Sequence, residues 1–183
     1  MAGDRRWIPD DMDTGRPSIA RVYDYALGGG HNLASDRAVF EQLMAIQPRI
    51  REIAWTNRAF LRRVVLFMVE SGITQFLDLG SGIPTVGNVH EIAQKANPEC
   101  RVVYVDREDV AVAHSQLLLE CNPLATVVEA DIVAVDKVLN HPETRALLDF
   151  GQPVGVLALT VGHYVSDKEV QDVFERYRDA VVP

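Results

Sequence analysis

The chain has 183 residues, 48% of them hydrophobic, and a formal net charge of −8 at pH 7. A chain of this length and hydropathy can bury the core of one domain, which argues against disorder. The acidic balance argues against a protein that binds DNA or RNA by neutralising phosphates, and it favours a small-molecule partner. No apolar run approaches the roughly 20 residues that a membrane span requires, so we expect a soluble protein.

The cysteines and the N-terminal sequence indicate a cytoplasmic location. Cys100 and Cys121 have no histidine or cysteine at the spacing of a zinc site, and we interpret both as reduced residues without a metal or disulfide role. The first residues are polar and acidic where a signal peptide needs an apolar segment. We therefore expect a cytoplasmic protein that holds no metal.

The N-terminal part of the sequence predicts an arm followed by helices. Residues 1–17 mix charges with glycine and proline, which predicts a flexible arm. Apolar residues at helical spacing predict three helices, at 18–27, 36–46 and 51–70. Asp36 is placed to cap the second helix. Three arginines of the third helix fall outside its apolar stripe: Arg58, Arg62 and Arg63. We interpret residues 18–72 as a helical lid.

From residue 73 onward, short apolar runs alternate with helical segments. The runs predict strands at 74–79, 101–106, 125–129 and 153–159. The segments after them predict helices at 86–96, 109–120, 136–148 and 167–181. Strands that alternate with helices of this length indicate parallel βαβ units with right-handed crossovers. The sequence therefore predicts an α/β fold with a parallel sheet, whose core is formed by residues 73–183.

A glycine-rich turn follows the first strand, with the sequence Asp78-Leu79-Gly80-Ser81-Gly82. Glycines let the backbone turn sharply, and the helix start after them offers free N–H groups to a carboxylate or phosphate. The dinucleotide pattern G-x-G-x-x-G lacks its third glycine here, which weakens an NAD interpretation. The turn alone can also be only a tight connection. Asp78 favours a functional site, because a carboxylate in a strand end is costly without a partner.

Carboxylates end three successive predicted strands, as Asp78, Asp106 and Asp131. Ligands of open α/β sheets lie at the carboxyl ends of the strands, so one crevice can collect all three. An acidic residue at the end of the second strand binds ribose hydroxyls in this architecture. The alternative is that Asp106 or Asp109 only caps the next helix.

Five blocks of the sequence carry a family resemblance: RVYDYALGGGHN (21–32), NRAFLRR (57–63), QFLDLGSGIPT (75–85), NVHEIAQ (88–94) and VVYVDRE (102–108). Together they resemble an actinobacterial family of S-adenosylmethionine-dependent methyltransferases, first described as a domain of unknown function, DUF574. The resemblance covers most of the chain from Pro17 onward. It implies a Rossmann-like class I methyltransferase fold with an N-terminal helical lid and S-adenosylmethionine as the cofactor.

The resemblance also implies the residues that bind the cofactor. They are Asp78, Gly80, Ser81, Gly82, Pro84, Thr85, Asp106, Arg107, Asp131 and Ile132 in the core, and Tyr25, Gly28, Gly29 and Asn32 in the lid. The glycine turn lies along the methionine part of the cofactor, and Asp78 lies beside the turn. Asp106 holds the ribose hydroxyls, while Asp131 binds the adenine amino group and Ile132 lies against the ring. A helix cap also explains Gly28 and Gly29, but not Asn32.

The sequence departs from the family pattern at three places, namely 30–31, 107–109 and 133–135. The methyltransferase sheet also has more strands than the four predicted here. We therefore expect that C-terminal strands are missing, either because the chain is a fragment or because another surface replaces them. An exposed sheet edge would need covering by the N-terminal helices or by a second copy in a homo-oligomer.

The function predicted is methyl transfer to an unidentified, small-molecule acceptor. Such a transfer is an in-line displacement, so positioning supplies much of its rate and a base is optional. His163, shortly after the fourth strand, is the candidate base, although a histidine there can also be structural. Two alternatives stay open. One is a protein that binds S-adenosylmethionine or S-adenosylhomocysteine without turnover, and the other is an NAD-dependent oxidoreductase.

Overall fold

The computed structural model describes residues 13–84 and 87–182, so most of the predicted arm lies outside the described residues. The elements in chain order are α1 (Ile19–Ala26), α2 (Ala34–Ile46), α3 (Ile50–Glu70), β1 (Gln75–Leu79), α4 (Val89–Ala96), β2 (Arg101–Asp106), α5 (Asp109–Leu119), β3 (Ala125–Glu129), α6 (Val135–Leu139), α7 (Pro142–Leu147), β4 (Gly155–Leu157) and α8 (Val170–Asp179). No helix within these two ranges is long and apolar enough to cross a membrane.

The strands form one parallel sheet in the order β3-β2-β1-β4. In its register, Asp78 of β1 lies beside Tyr104 of β2, and Asp106 at the end of β2 lies beside Glu129 of β3. Every residue of β1 is buried, as expected for a parallel strand with helices on both faces of the sheet. The predicted α/β class and its four strands are therefore confirmed.

Apolar clusters lie on both faces of the sheet. One face packs against α6 and α8, and its buried members include Leu77, Val103 and Tyr177. The other packs against α3 and α4, and its buried members include Val65, Phe76 and Val102. Because both faces are covered in this way, the carboxyl ends of the strands remain as the place where a ligand can approach the sheet.

The helix α3 extends beyond the sheet. Met68, near its end, lies beside Phe76 at the start of β1, whereas Arg58 interacts electrostatically with Asp78 near the end of β1. The helix and the strand are therefore antiparallel. The 21 residues of α3 span about 31 Å and the 5 residues of β1 about 17 Å. The N-terminal half of α3 consequently projects past the carboxyl ends of the strands.

The helices α1 and α2 pack on this projecting half of α3, and we call the three together the cap. Ala26, Phe40 and Ala54, one from each helix, share a small buried cluster that is separate from the clusters on the sheet. The side-chain hydroxyl of Ser18 connects the start of α1 to the carboxylate of Glu108, just after β2. The cap is thus held over the carboxyl edge of the sheet.

Asp36 caps the second helix, as predicted, but from a position inside it. The helix α2 begins at Ala34, so Asp36 is its third residue, and its side chain forms the capping-box hydrogen bond to the residue before the helix. The buried carboxylate accepts hydrogen bonds from the backbone N–H groups of Ser18 at 2.9 Å and Leu33 at 2.7 Å. It also pairs with the guanidinium of Arg21 at 2.7 Å, so it connects α1 to α2.

The single helix predicted over 136–148 is two helices in the structure. Asn140 ends α6, and Pro142 is the first residue of α7. Proline has no N–H to donate to the preceding turn, and it disfavours the helical conformation of the residue before it. The chain therefore breaks at this point. β4 is also shorter than the predicted run over 153–159.

Candidate functional site

A cavity of about 310 Å³ lies between the carboxyl edge of the sheet and the cap. From the ends of β1, β2 and β3 it is lined by Asp78, Gly80, Ser81, Gly82, Asp106, Arg107, Glu108, Ala130, Asp131 and Ile132. From the segment after β4 it is lined by Leu159, Thr160, Val161, His163, Tyr164 and Val165. From the cap it is lined by Ile19, Ala20, Val22, Tyr23, Ala26, Phe40, Leu43, Ile50, Ile53, Ala54, Asn57, Arg58 and Leu61. The size suits a small organic ligand.

The glycine turn after β1 depends on two different properties of glycine. Gly80 has φ +69°, and a Cβ placed on it would lie 2.3 Å from Cγ2 of Val161. Gly82 has φ +65°, but a Cβ on it would meet nothing within 4 Å. The first glycine therefore lets the segment after β4 pack against the turn. The second leaves space open at the cavity.

Asp106 connects the end of β2 to this turn. Its Oδ2 accepts a hydrogen bond from the N–H of Gly82 at 2.7 Å, and its Oδ1 accepts one from the N–H of Glu108 at 3.0 Å. Burial raises the pKa of Asp106, although the two amide hydrogen bonds oppose this change. The helix α5 begins at Asp109 without a side-chain cap. Asp106 is therefore part of the cavity wall and not the cap of that helix.

The buried carboxyl group of Asp78 lies near the guanidinium of Arg58. Burial raises the pKa of Asp78 to about 7, with the positive charge of Arg58 opposing this increase and the carboxylate of Asp106 adding to it. Nε of Arg58 and Oγ of Ser81 are both buried and have no hydrogen-bond partner within the described residues. Because buried polar atoms are nearly always paired, these two indicate the position of a polar ligand.

The position of Arg58 was missed by the sequence analysis. The helical wheel placed it outside the apolar stripe of α3, which is typical of a side chain in solvent. In the structure Arg58 lies on the same side of α3 as Ala54 and Leu61 of that stripe, and all three line the cavity. The signal that could have identified Arg58 is the block NRAFLRR, which belongs to the family resemblance.

Asp131 and Arg107 interact in the part of the cavity where the sequence predicts the adenine ring. Oδ2 of Asp131 accepts from Nη1 of Arg107 at 3.0 Å, and Oδ1 accepts from the N–H of Val133 at 3.1 Å. Ile132 is buried beside them, and its carbonyl accepts from the hydroxyl of Tyr177 at 2.8 Å. The carboxylate and the apolar side chain predicted for one ligand ring therefore both line the same cavity.

His163 and Tyr164 lie in a short 3-10 turn, Gly162–Tyr164, that follows β4. Their rings pack with centroids 4.0 Å apart, and both side chains line the cavity while remaining exposed to solvent. The nearby Thr160 has φ +57°, a conformation that costs energy for a residue other than glycine. The predicted candidate base is thus at the edge of the site and accessible to a ligand.

Five predicted residues are not placed in the cavity wall, and Thr85 lies outside the described residues. They are Tyr25, Gly28, Gly29, Asn32 and Pro84. The ring of Tyr25 packs edge-on against Phe40, with centroids 5.3 Å apart. Nδ2 of Asn32 donates to Oδ2 of Asp24 at 2.9 Å and to the carbonyl of Gly29 at 2.8 Å. These contacts stabilise the cap, and a role in cofactor binding stays a prediction.

The glycines after α1 close that helix. The N–H of Gly28 donates to the carbonyl of Tyr25 and the N–H of Gly29 to that of Asp24, which is the Schellman pattern. Tyr23, two positions before Tyr25, is the tyrosine of α1 that lines the cavity. Elsewhere, Cys100 and Cys121 are free thiols. Across the described residues, no three histidine, cysteine or acidic side chains lie close enough to hold a metal ion.

The parallel sheet, the glycine turn after β1 and the carboxylates at the strand ends define a Rossmann-like class I methyltransferase fold. Residues 5–183 match the model of the S-adenosyl methyltransferase family, and the chain belongs to this family. The cofactor of the family is S-adenosylmethionine. The resemblance seen in the sequence is therefore confirmed. A comparison with proteins of curated function finds no match.

Two solved structures are similar over nearly the whole chain. A candidate methyltransferase from Thermobifida fusca YX is 44% identical with a TM-score of 0.94, and the match covers 97% of this chain and 67% of that one. A DUF574 family protein from Streptomyces avermitilis MA-4680 is 36% identical with a TM-score of 0.89, and the match covers 93% of this chain and 66% of that one. The chain therefore spans about two thirds of the length of these relatives.

Proposed function

We propose that this chain binds S-adenosylmethionine in the cavity under the cap and transfers its methyl group to a small-molecule acceptor. The main evidence is that Nε of Arg58 and Oγ of Ser81 are buried without a hydrogen-bond partner among the described residues. Both residues line the cavity together with Asp78. A donor and a carboxyl group at one end of a cavity fit the carboxylate and the ammonium of an amino acid. The cofactor carries these two groups together.

The other half of the wall fits the nucleoside. Asp106 is fixed by two backbone amides and keeps oxygen lone pairs that can accept from ribose hydroxyls. Asp131 can accept from the adenine amino group, and Ile132 offers an apolar surface to the ring. The space at Gly82 lets the ligand approach the backbone of the turn. These assignments follow the family resemblance, and the cavity brings the residues together.

The residues of the chain contribute mainly positioning to the reaction. The bound cofactor supplies an electrophilic methyl group on a sulfonium, so the protein must align an acceptor with it and exclude water. The cap covers the strand ends and provides that exclusion. His163 is the group that takes a proton from the acceptor, because its imidazole lines the cavity and a neutral imidazole has a nitrogen that can accept a proton.

A small acceptor is favoured by the shape and charge of the protein. The cavity of about 310 Å³ is bounded by the cap, and the net charge of −8 does not favour a nucleic acid. The two free thiols, one of them exposed, fit a reducing compartment such as the cytoplasm. The acceptor therefore belongs to the pool of small metabolites.

A transfer assay with isotope-labelled cofactor tests this function. The protein is incubated with S-adenosylmethionine carrying a deuterated methyl group and with the small-molecule fraction of the cells that produce it. We expect mass spectrometry to find one compound that gains the labelled methyl group, together with S-adenosylhomocysteine. Arg58→Gln should lose this product, whereas Arg62→Gln, an exposed arginine of the same helix, should retain it. Cofactor binding without any labelled product would instead support a binding protein without turnover.

A further inference from the structure

The cavity has an apolar part that the cofactor-binding residues do not account for. Its wall consists of side chains from the three helices of the cap: Val22, Ala26, Phe40, Leu43, Ile50 and Ile53. We call this part the cap chamber. None of these residues lies at a strand end. The chamber is nevertheless part of the same cavity as Asp78 and the glycine turn.

The six side chains of the cap chamber are uncharged, and Arg58, which lines the same cavity from α3, interacts electrostatically with Asp78 of β1. A second cation, Arg51, is outside the cavity wall, and its Nη1 donates to the carbonyls of Tyr25 at 3.1 Å and Ala26 at 2.9 Å. Its guanidinium lies over the ring of Phe40 at 4.8 Å. This charge is therefore already paired with the end of α1. A charged ligand would lose its hydration in the chamber without gaining a partner.

Two uncharged polar side chains, Tyr23 and Asn57, line the cavity close to Arg58, whose guanidinium lies 5.9 Å from the centroid of the Tyr23 ring. The hydroxyl of Tyr23 donates to the carbonyl of Ala54 at 3.3 Å, and Asn57 lies one position before Arg58. Burial raises the pKa of Tyr23, so the phenol stays neutral, and its oxygen can still accept a hydrogen bond from a ligand. A ligand in the chamber can therefore place one polar atom beside Tyr23 and Asn57. This position is next to Arg58, where we place the amino-acid part of the cofactor.

We infer that the cap chamber is the acceptor subsite, and that it takes an uncharged, mostly apolar small molecule with one hydroxyl or aromatic amine directed at Tyr23 and Asn57. This inference rests on the proposed function. In the transfer, the acceptor's oxygen or nitrogen forms the bond to the methyl carbon while the sulfur–methyl bond breaks. The electron pair of that bond stays on sulfur, and the acceptor's proton goes to His163.

Fluorescence of N-phenylnaphthylamine, a neutral aromatic amine that brightens in apolar sites, tests the chamber. The titration is made with saturating S-adenosylhomocysteine, whose binding is measured separately by calorimetry. We expect the probe to bind together with S-adenosylhomocysteine. Leu43→Trp fills the chamber and should weaken probe binding about tenfold or more. The matched control is Leu117→Trp on α5, where the leucine is exposed and outside the cavity, and it should bind like the wild type.

A second variant and a charged probe give two further tests of the cap chamber. Ile53→Trp tests the same chamber if Leu43→Trp does not fold, because Ile53 is partly exposed and tolerates a larger side chain. Anilinonaphthalene sulfonate, which has nearly the same rings plus a charge, should bind about tenfold more weakly than the neutral probe.

Displacement of the neutral probe by S-adenosylhomocysteine would overturn the acceptor subsite, since both would then occupy one site. Wild-type affinity in Leu43→Trp and Ile53→Trp, or equal affinity for the charged probe, would overturn it as well. The calorimetry tests the proposed function separately. If S-adenosylhomocysteine does not bind, the proposed function is wrong, whether or not the probe binds.

Discussion

Oδ2 of Asp106 accepts a hydrogen bond of 2.7 Å from the backbone N–H of Gly82. The carboxylate at the end of β2 thereby holds the glycine turn that follows β1. The N–H groups of Gly80 and Ser81 donate to the carbonyl of Val105 at 2.8 and 3.1 Å, which strengthens the same connection. Two adjacent parallel strands therefore position the turn before any ligand binds.

Asp106→Asn should weaken both the fold and the site. An amide can accept only one of the two backbone N–H groups that the carboxylate now serves, and its NH2 group faces the other. We expect a loss of about 1–3 kcal/mol in the free energy of unfolding and weaker binding of S-adenosylhomocysteine. Urea unfolding and calorimetry measure the two effects.

The matched control for this change is Asp136→Asn. Asp136 forms an ion pair with Arg176 at 2.8 Å, but its side chain is largely exposed, so the pair contributes little to stability. The account of Asp106 would be contradicted if both variants had wild-type stability and wild-type affinity.

Alanine at the two glycines of the turn should separate stability from binding. Gly80→Ala combines an unfavourable φ with a collision against Val161, and should cost about 2 kcal/mol or more of unfolding free energy. Gly82→Ala has the same kind of φ but free space around its Cβ, and should cost only about 1–2 kcal/mol. The methyl group at position 82 would occupy ligand space, so this variant should bind the cofactor poorly.

Thermal unfolding and calorimetry distinguish the two alanine variants. Adding Val161→Ala to Gly80→Ala should restore part of the lost stability, because it removes the atoms that the new Cβ meets. A larger stability loss for Gly82→Ala than for Gly80→Ala would show that the turn is packed differently.

Asp78 should make the stability of the ligand-free protein depend on pH. Burial raises its pKa from 3.8 to about 7, so the folded protein binds a proton that the unfolded chain has released between these values. Stability from this group is therefore present at low pH and is lost as the pH rises toward about 7 and above. Asp78→Asn has no such loss. Its stability relative to the wild type should increase by roughly 1–3 kcal/mol between pH 5 and pH 8.

Denaturant unfolding of both proteins at the two pH values measures this difference. Binding should change in the opposite direction, because the ionised carboxylate pairs with the ammonium of S-adenosylhomocysteine. Wild-type affinity should increase from pH 6 to pH 8, and the affinity of Asp78→Asn should not. A stability difference that stays constant with pH would show that Asp78 ionises normally in the folded protein.

His163→Gln should affect turnover and leave binding unchanged. The side chain is exposed at the edge of the cavity, so its replacement should alter stability by less than about 0.5 kcal/mol. If the imidazole takes the acceptor's proton, kcat should fall about 100-fold, while the affinity for S-adenosylhomocysteine stays the same. Rates of labelled methyl transfer measure kcat. A wild-type rate would show that solvent takes the proton.

Much of the sheet could be predicted because local patterns determine it. The short apolar runs predicted the bounds of three strands to within a residue or two. The alternation of strands with helices along the chain indicated a parallel sheet. The place of Asp78, Asp106 and Asp131 at the carboxyl edge of the sheet could be predicted, because a carboxylate at a strand end has the same position in any sheet of this kind. Predicting their position requires only the direction of the strands and not the packing of the helices.

The cap was less predictable, because its geometry depends on contacts between distant segments. The cofactor role of Tyr25 stays a prediction, and its ring packs against Phe40 while Tyr23 of the same helix lines the cavity. Arg58 was interpreted as a side chain outside the apolar stripe, since a helical wheel does not show that α3 extends past the sheet. Both positions follow from contacts between distant segments, which the periodicity of the sequence does not determine.

Calorimetric titration with S-adenosylhomocysteine tests the central claim, that the cavity under the cap binds the cofactor with its amino-acid end at Arg58. Methylthioadenosine, which lacks the amino-acid part, is titrated in parallel. The wild type should bind S-adenosylhomocysteine at one site per chain. Arg58→Gln should bind it about 10–100-fold more weakly, because a charge-assisted hydrogen bond to the carboxylate is lost.

Methylthioadenosine should bind the wild type and Arg58→Gln equally, since it has no group for Arg58 to bind. Arg62→Gln should behave like the wild type with both ligands, because this arginine is exposed and outside the cavity. No heat with S-adenosylhomocysteine would contradict the claim that this cavity holds the cofactor. An equal loss of affinity for both ligands in Arg58→Gln would contradict the placement of the amino-acid end.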